Sequence, residues 1–158
     1  MPMNDFTAPG FLKILRNKFP HTPTEKQALA LEKLAKFVLE GKKDDVFLLK
    51  GFAGTGKTTL VATLVSSLWK VKMSSVLMAP TGRAAKVMSV YSGDKAFTIH
   101  KKIYFPKKQA GGNIQFVLAP NKHRNTVFIV DEASMIPDIP ADSKLFENGS
   151  LLDDLMFY

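Results

Sequence analysis

The stretch Gly51-Phe52-Ala53-Gly54-Thr55-Gly56-Lys57-Thr58 fits the pattern G-x-x-x-x-G-K-[ST] without a mismatch and is followed by Thr59. Average composition produces that pattern by chance in on the order of one chain in two hundred of this length. Each residue type has a chemical reason. Glycines permit positive φ and close backbone approach, so successive N–H groups can face phosphate oxygens at a helix N-terminus. Lys57 reaches the β- and γ-phosphates of a bound nucleotide, and the Thr58 hydroxyl ligates Mg²⁺. Further on, the apolar run Val127-Phe128-Ile129-Val130 ends in Asp131-Glu132. Two carboxylates at the end of a strand suit a metal-holding Asp131 and a Glu132 that polarises an attacking water. Taken alone, such a pair is also what a strand followed by a helix-capping Asp looks like.

These groups need a scaffold, and the hydrophobic periodicity supplies one. Val46 to Leu49 reads as a buried strand leading into the glycine-rich turn. Leu60, Val61, Leu64, Val65, Leu68 and Trp69 then recur at helical spacing, which places Trp69 in the core. Ser75 to Ala79 and Thr126 to Val130 read as further strands, the latter buried, and Gly82 to Val90 as a helix. Upstream, Phe11, Leu12, Ile14, Leu15 and Phe19 predict a short amphipathic helix, and a second helix runs from Thr22–Thr24 to Glu40, stopped by Gly41. Thr98 caps a short helix through Tyr104, residues 107–113 form a loop, Ile114 to Leu118 a small strand or hairpin arm, and Leu151 to Phe157 a last helix. Strands alternating with helices indicate an α/β fold with a mostly parallel sheet. Residues 1–21 are expected to form an N-terminal helical segment and 22–158 the nucleotide-binding lobe, with a basic loop or hairpin at about 95–124.

Composition excludes several alternatives. The chain has 158 residues, one domain's worth, and no cysteine, which removes disulfide scaffolds, thiolate metal sites and cysteine nucleophiles. The apolar strand-like runs are far shorter than the roughly 20 residues needed to cross a bilayer, and the N-terminus does not read as a secretory signal. No membrane association and a cytoplasmic location are the resulting expectations. The net charge is +8. No acidic residue occurs between Asp94 and Asp131, a stretch holding Lys95, Lys101, Lys102, Lys107, Lys108, Lys122 and Arg124. A local run of this kind favours a polyanionic partner.

Five segments in order carry a resemblance: Thr24-Glu25-Lys26-Gln27, Gly51 to Thr59, Ala79-Pro80-Thr81-Gly82-Arg83-Ala84-Ala85, Thr98-Ile99-His100 and Asp131-Glu132-Ala133-Ser134-Met135. Together they resemble the superfamily 1 DNA helicases, in their RecD-type and Dda-like branch, which includes chains like the exodeoxyribonuclease V alpha subunit and moves 5′ to 3′. The resemblance implies a RecA-like three-layer lobe of the P-loop NTPase class that uses ATP and Mg²⁺. Single-stranded DNA is the implied partner, with roles in DNA repair and recombination. By the same resemblance, the Gln27 amide pairs with the adenine edge, although Thr24-x-x-Gln27 is equally a helix capping box. Pro80, Thr81 and Arg83 are implied to touch the strand backbone, and His100 belongs to the next DNA-contact motif; ordinary helix caps would use the same residues.

Phe97, Tyr104, Phe105 and Phe116 interleave with the basic residues, the composition that stacks bases while neutralising phosphates. Phe97 and Phe105 adjoin loops and are the first candidates to stack, beside Lys101 and Lys102. The family continues beyond the Asp-Glu segment with a Gly-Asp-x-x-Gln strand end and a second RecA-like lobe carrying catalytic arginines. Neither is in this sequence, so the chain is expected to be part of a longer helicase, with slow hydrolysis by itself. A small-molecule kinase and a non-hydrolysing ATP- or strand-binding module are the rival readings.

Overall fold

The computed structural model describes residues 6–137, 139, 142, 145–147 and 149–158. The chain divides into two compact units, one of Met1–Ser75 with Tyr91–Gly93 and one of Val76–Val90 with Asp94–Tyr158.

The first unit is built on three helices, α1 (Ala8–Lys18), α2 (Glu25–Glu40) and α3 (Lys57–Leu68). Thr7 caps α1 by accepting from the Gly10 N–H at 3.2 Å, and the proline in its first turn needs no donor partner. Phe11, Leu15 and Phe19 lie on one face of α1 and are buried where it packs on α2 and α3. The α2 stripe Leu31, Leu34, Ala35 and Val38 has the i, i+3, i+4, i+7 spacing of a core face and is buried throughout. Gly41 ends that helix, its N–H bonding back to the Phe37 carbonyl at 3.0 Å.

Two expectations fail in this unit. Val46 to Leu49 belongs to no strand, and Val46 and Leu48 are 65% and 66% exposed. The run pairs with no strand among the described residues, and Phe47 has an aromatic neighbour, Phe37, at 5.5 Å between centroids. Trp69 is exposed, not core. Helix α3 ends at Leu68 and a 3-10 turn, Trp69–Val71, follows. At 100° per residue Trp69 falls on the side of α3 away from Leu60 and Leu64, while Leu68 and Val71 take the buried positions. Trp69 is left outside, its indole N–H donating to the Ser66 carbonyl at 3.0 Å and Lys70 over its ring.

In the second unit, β1 (Ser74–Ala79) is central in a sheet of order β2-β1-β5, with β2 at Ala96–Thr98 and β5 at Thr126–Val130. β1 and β2 are parallel, with Leu77, Met78 and Ala79 opposite Ala96, Phe97 and Thr98. Val76 to Ala79 are all buried, as a central strand requires. β5 is half-buried rather than buried, because it ends the strand order, and Phe128 is 36% exposed. Helix α4 (Gly82–Ser92) follows β1, and α5 (Ile99–Ile103) follows β2 under the Thr98 cap. An antiparallel hairpin, β3 (Tyr104–Lys108) with β4 (Ile114–Leu118), occupies the expected loop region, and α6 (Leu151–Phe157) comes last.

Val76, Met78, Ile99, Ile103, Tyr104 and Leu151 form this unit's core. Its polar member is Asp154, 4% exposed, whose carboxylate accepts a hydrogen bond from the Tyr104 hydroxyl. Burial first, and then Asp154, pushes the Tyr104 phenol well above its ordinary pKa. A buried carboxylate that loses its donor is costly, so Tyr104→Phe is expected to destabilise the protein by about 1–3 kcal/mol. Urea denaturation followed by near-UV circular dichroism checks this, and a change under about 0.5 kcal/mol contradicts it.

Candidate nucleotide site and strand-contact face

The glycine-rich turn lies directly before α3, and its geometry follows from two left-handed residues. Gly54 has φ +77° and Gly56 φ +88°, values that an L side chain adopts at a cost of about 1–2 kcal/mol. Gly56 is the N-cap of α3 and no side chain caps that helix, so its first-turn N–H groups have no intrahelical partner. Within the turn, Thr55 folds its hydroxyl onto the Phe52 carbonyl at 2.7 Å. Lys57 curls back and donates from Nζ to the carbonyls of Gly51 and Phe52, the latter at 2.8 Å. Ala53, Gly54 and Thr58 are exposed, and Thr59 is half-buried.

Gln27 joins this group from α2. The capping box is formed: Thr24 N–H donates to Gln27 Oε1 at 3.0 Å and Gln27 N–H donates to Thr24 Oγ1 at 3.2 Å. In addition, Gln27 Nε2 donates to the Thr55 carbonyl at 3.3 Å. The sequence offered the cap and an adenine contact as alternatives; the bond to the loop was legible in neither.

In the second unit, Asp131 and Glu132 follow β5, and the Asp131 N–H donates to the Met78 carbonyl of β1 at 3.0 Å. Asp131 Oδ1 accepts from the N–H of the next residue, Glu132, at 2.9 Å. Glu132 is exposed and left-handed at φ +53°, opening the 3-10 turn Ala133–Met135.

The segments matched to strand contact lie in the same unit. Thr81 caps α4, its Oγ1 accepting from the Ala84 N–H at 3.2 Å, while Arg83 is exposed and Pro80 half-buried. Thr98 caps α5 through the Lys101 N–H at 3.2 Å. The His100 ring packs on Tyr104 and Phe146, with centroids 5.9 and 5.7 Å apart, and partial burial lowers its pKa, favouring neutral imidazole at pH 7. Lys95 and Lys102 both set their ammonium groups over the Phe97 ring, at 5.1 and 5.2 Å. Phe105 is exposed on the hairpin, whereas Tyr104 is buried and Phe116 stacks on Phe146 at 5.6 Å. None of the seven basic residues of this stretch forms an ion pair among the described residues.

Phe146 and Asp154 were missed from sequence. Asp154 had a signal, since it sits at the i+3 position from Leu151 on the apolar face of α6. Phe146 lies in an aperiodic acidic stretch and had none.

A parallel sheet, alternating helices and a phosphate loop opening a helix define the α/β fold of a RecA-like P-loop NTPase lobe. The chain belongs to the AAA domain family, which matches residues 35–156. Over 127 residues it is 35% identical to the ATP-dependent DNA helicase dda of Enterobacteria phage T4, an alignment covering 78% of this chain and 27% of that protein. The chain therefore spans about a quarter of the length of that curated relative. No solved structure matches it.

Backbone strain at a non-glycine residue often marks a functional position. Glycine at 132 relieves about 1–2 kcal/mol of left-handed strain but restores about 0.5–1 kcal/mol of unfolded-state freedom. Glu132→Gly is therefore expected to match the wild type or exceed its stability slightly in urea denaturation. A clear loss of stability contradicts this and gives the Glu132 side chain a part in holding the fold.

Proposed function

We propose that this chain is the ATP-binding lobe of an ATP-dependent DNA helicase or translocase, of the RecD-type and Dda-like branch, that couples hydrolysis to movement on single-stranded DNA. The observation that carries the reading is the phosphate loop at the uncapped start of α3, with Lys57 held by the carbonyls of Gly51 and Phe52. A triphosphate offers that ammonium charged oxygens in place of two neutral carbonyls, a stronger class of hydrogen bond. The N–H groups from Gly54 to Thr59 supply the remaining donors, with Gly51 and Ala53 forming the entry to the turn.

The metal implied is Mg²⁺, and the donor chemistry fits it. Thr58 would offer a hydroxyl, a hard oxygen ligand of the kind that cation takes together with phosphate oxygens and water; Asp131 is the carboxylate that the sequence resemblance implies. When bound, the ion neutralises charge on the phosphates. Lys57 holds the β- and γ-phosphates. Glu132, exposed after β5, orients the attacking water and accepts its proton. Translocation needs a second RecA-like lobe that closes on ATP and opens after hydrolysis, and such a lobe is the proposed partner. The similarity to the phage helicase, an ATP-dependent DNA enzyme by name, supports this reading over a small-molecule kinase.

The strand-contact face consists of Pro80, Thr81, Arg83, Phe97, His100, Lys101, Lys102 and Phe105. Its exposed Phe105, and lysines that form no ion pair among the described residues, support backbone neutralisation with stacking. Fluorescence anisotropy with a labelled single-stranded oligonucleotide tests it. If about four phosphates are neutralised, log affinity falls with log salt at a slope near −3. Replacing Lys101, Lys102, Lys107 and Lys108 by Glu is expected to flatten that slope with the fold intact by circular dichroism. Salt-insensitive binding, or none at low salt, contradicts the reading.

A further inference from the structure

Two ammonium groups meet at one ring. Lys95 Nζ lies 5.1 Å and Lys102 Nζ 5.2 Å from the Phe97 centroid. Each cation is attracted to the ring. Charges that close to a single centroid are separated by no more than a Debye length at 0.1 M salt, about 10 Å, and repel each other. An anion held by both lysines removes the repulsion and leaves both ring contacts in place. A ring face with an ammonium above it is closed to a base until that lysine leaves.

The backbone builds this arrangement from three sides. Phe97 is the middle residue of β2, opposite Met78 of the buried central strand, and is itself half-buried. Lys95 precedes it by two residues, the spacing that puts side chains on one side of an extended chain. The Thr98 cap starts α5 directly after β2, and the turn from strand to helix brings Lys102 back to the ring. Lys102 is half-buried, whereas Lys101, Lys107 and Lys108 are exposed. Its charge also reaches a further side chain: burial first, and then Lys102, lowers the pKa of His123, which Lys122 and Arg124 flank in sequence. Positive potential is therefore concentrated here rather than spread evenly along the basic stretch.

We propose that Lys95, Phe97 and Lys102 form one seat for a backbone phosphate of a single nucleic-acid strand, the two lysines holding its oxygens and Phe97 acting as a positioning residue for both ammoniums, with no base stacked on its ring. This rests on the strand-contact reading above and adds Lys95 to it, a residue outside every segment that carries the resemblance. Its signature is a loss of strand affinity that is the same with and without bases.

Fluorescence anisotropy tests it with two labelled single strands of equal length, an oligothymidylate and an abasic deoxyribose-phosphate chain, each titrated over a salt series. The variants are Lys95→Gln with Lys102→Gln as a double substitution, Phe97→Leu, and Phe97→Tyr, with circular dichroism and thermal melts confirming the fold of each. The double variant is expected to flatten the salt slope by about 0.7 on both strands, the share of one phosphate on a single strand. Phe97→Leu is expected to weaken both strands by one common factor of about two- to fivefold, the size of one exposed cation–π contact, while Phe97→Tyr, which keeps the ring, holds wild-type affinity. Loss in Phe97→Leu confined to the oligothymidylate identifies a base-stacking ring and overturns the proposal. A slope change of about twice 0.7 assigns the lysines to separate phosphates and overturns the shared seat, as does an unchanged slope. Displacement of the strand by inorganic phosphate beyond that by chloride at equal ionic strength assigns the seat to a free phosphate and overturns it too. A wild type that binds neither strand at low salt contradicts the strand-contact reading itself, whereas a wild type that binds both with every variant unchanged overturns the seat alone.

Discussion

The hydrogen bonds that fold residues 51–57 back on themselves are the constraint on which the nucleotide chemistry depends. A tight turn needs left-handed residues, and Gly54 and Gly56 provide them. The turn then brings the Gly51 and Phe52 carbonyls within reach of the Lys57 ammonium and leads into the start of α3, which no side chain caps. The three helices behind it serve that geometry: α1 packs on α2 and α3, and α2 delivers Gln27 to the Thr55 carbonyl. A cradle of oriented N–H groups is effective because its dipoles are fixed before the ligand arrives.

What was legible in the sequence is what local chemistry determines. The capping box at Thr24 and Gln27, the Gly41 stop, the Thr98 cap and the phosphate loop need only neighbouring residues, and each appears where its spacing places it. Features that depend on distant partners were less legible. Val46 to Leu49 has strand composition, but a strand exists only by pairing, and composition cannot report a missing ladder. Trp69 lies four residues after Val65 in sequence, yet its angle around α3 turns it away from the buried Leu60 and Leu64. The hydrogen bond from Tyr104 to Asp154 spans 50 residues, and no short-range pattern announces it.

The same division runs through the site. The loop residues and the Asp131–Glu132 pair were assigned by motif, whereas the left-handed backbone of Glu132 could not be read, because nothing in the type Glu favours it. The aromatics of the basic stretch separate by environment. Tyr104 and Phe116 are taken up by packing with Asp154 and Phe146, Phe97 carries two lysine ammoniums, and Phe105 keeps an exposed ring. Two like charges over one ring repel each other, an arrangement an anionic backbone relieves.

The central claim is that residues 51–59 bind the phosphates of a nucleotide through their own N–H groups and Lys57. Titration of the ¹⁵N-labelled chain with Mg²⁺–ATP, followed by amide resonances, tests it most directly. The expected result is saturable, one-to-one movement largest at Gly54, Gly56, Lys57 and Thr58, and largely lost in Lys57→Ala. Loop resonances that stay in place at saturating nucleotide, or equal movement in Lys57→Ala, would contradict the account.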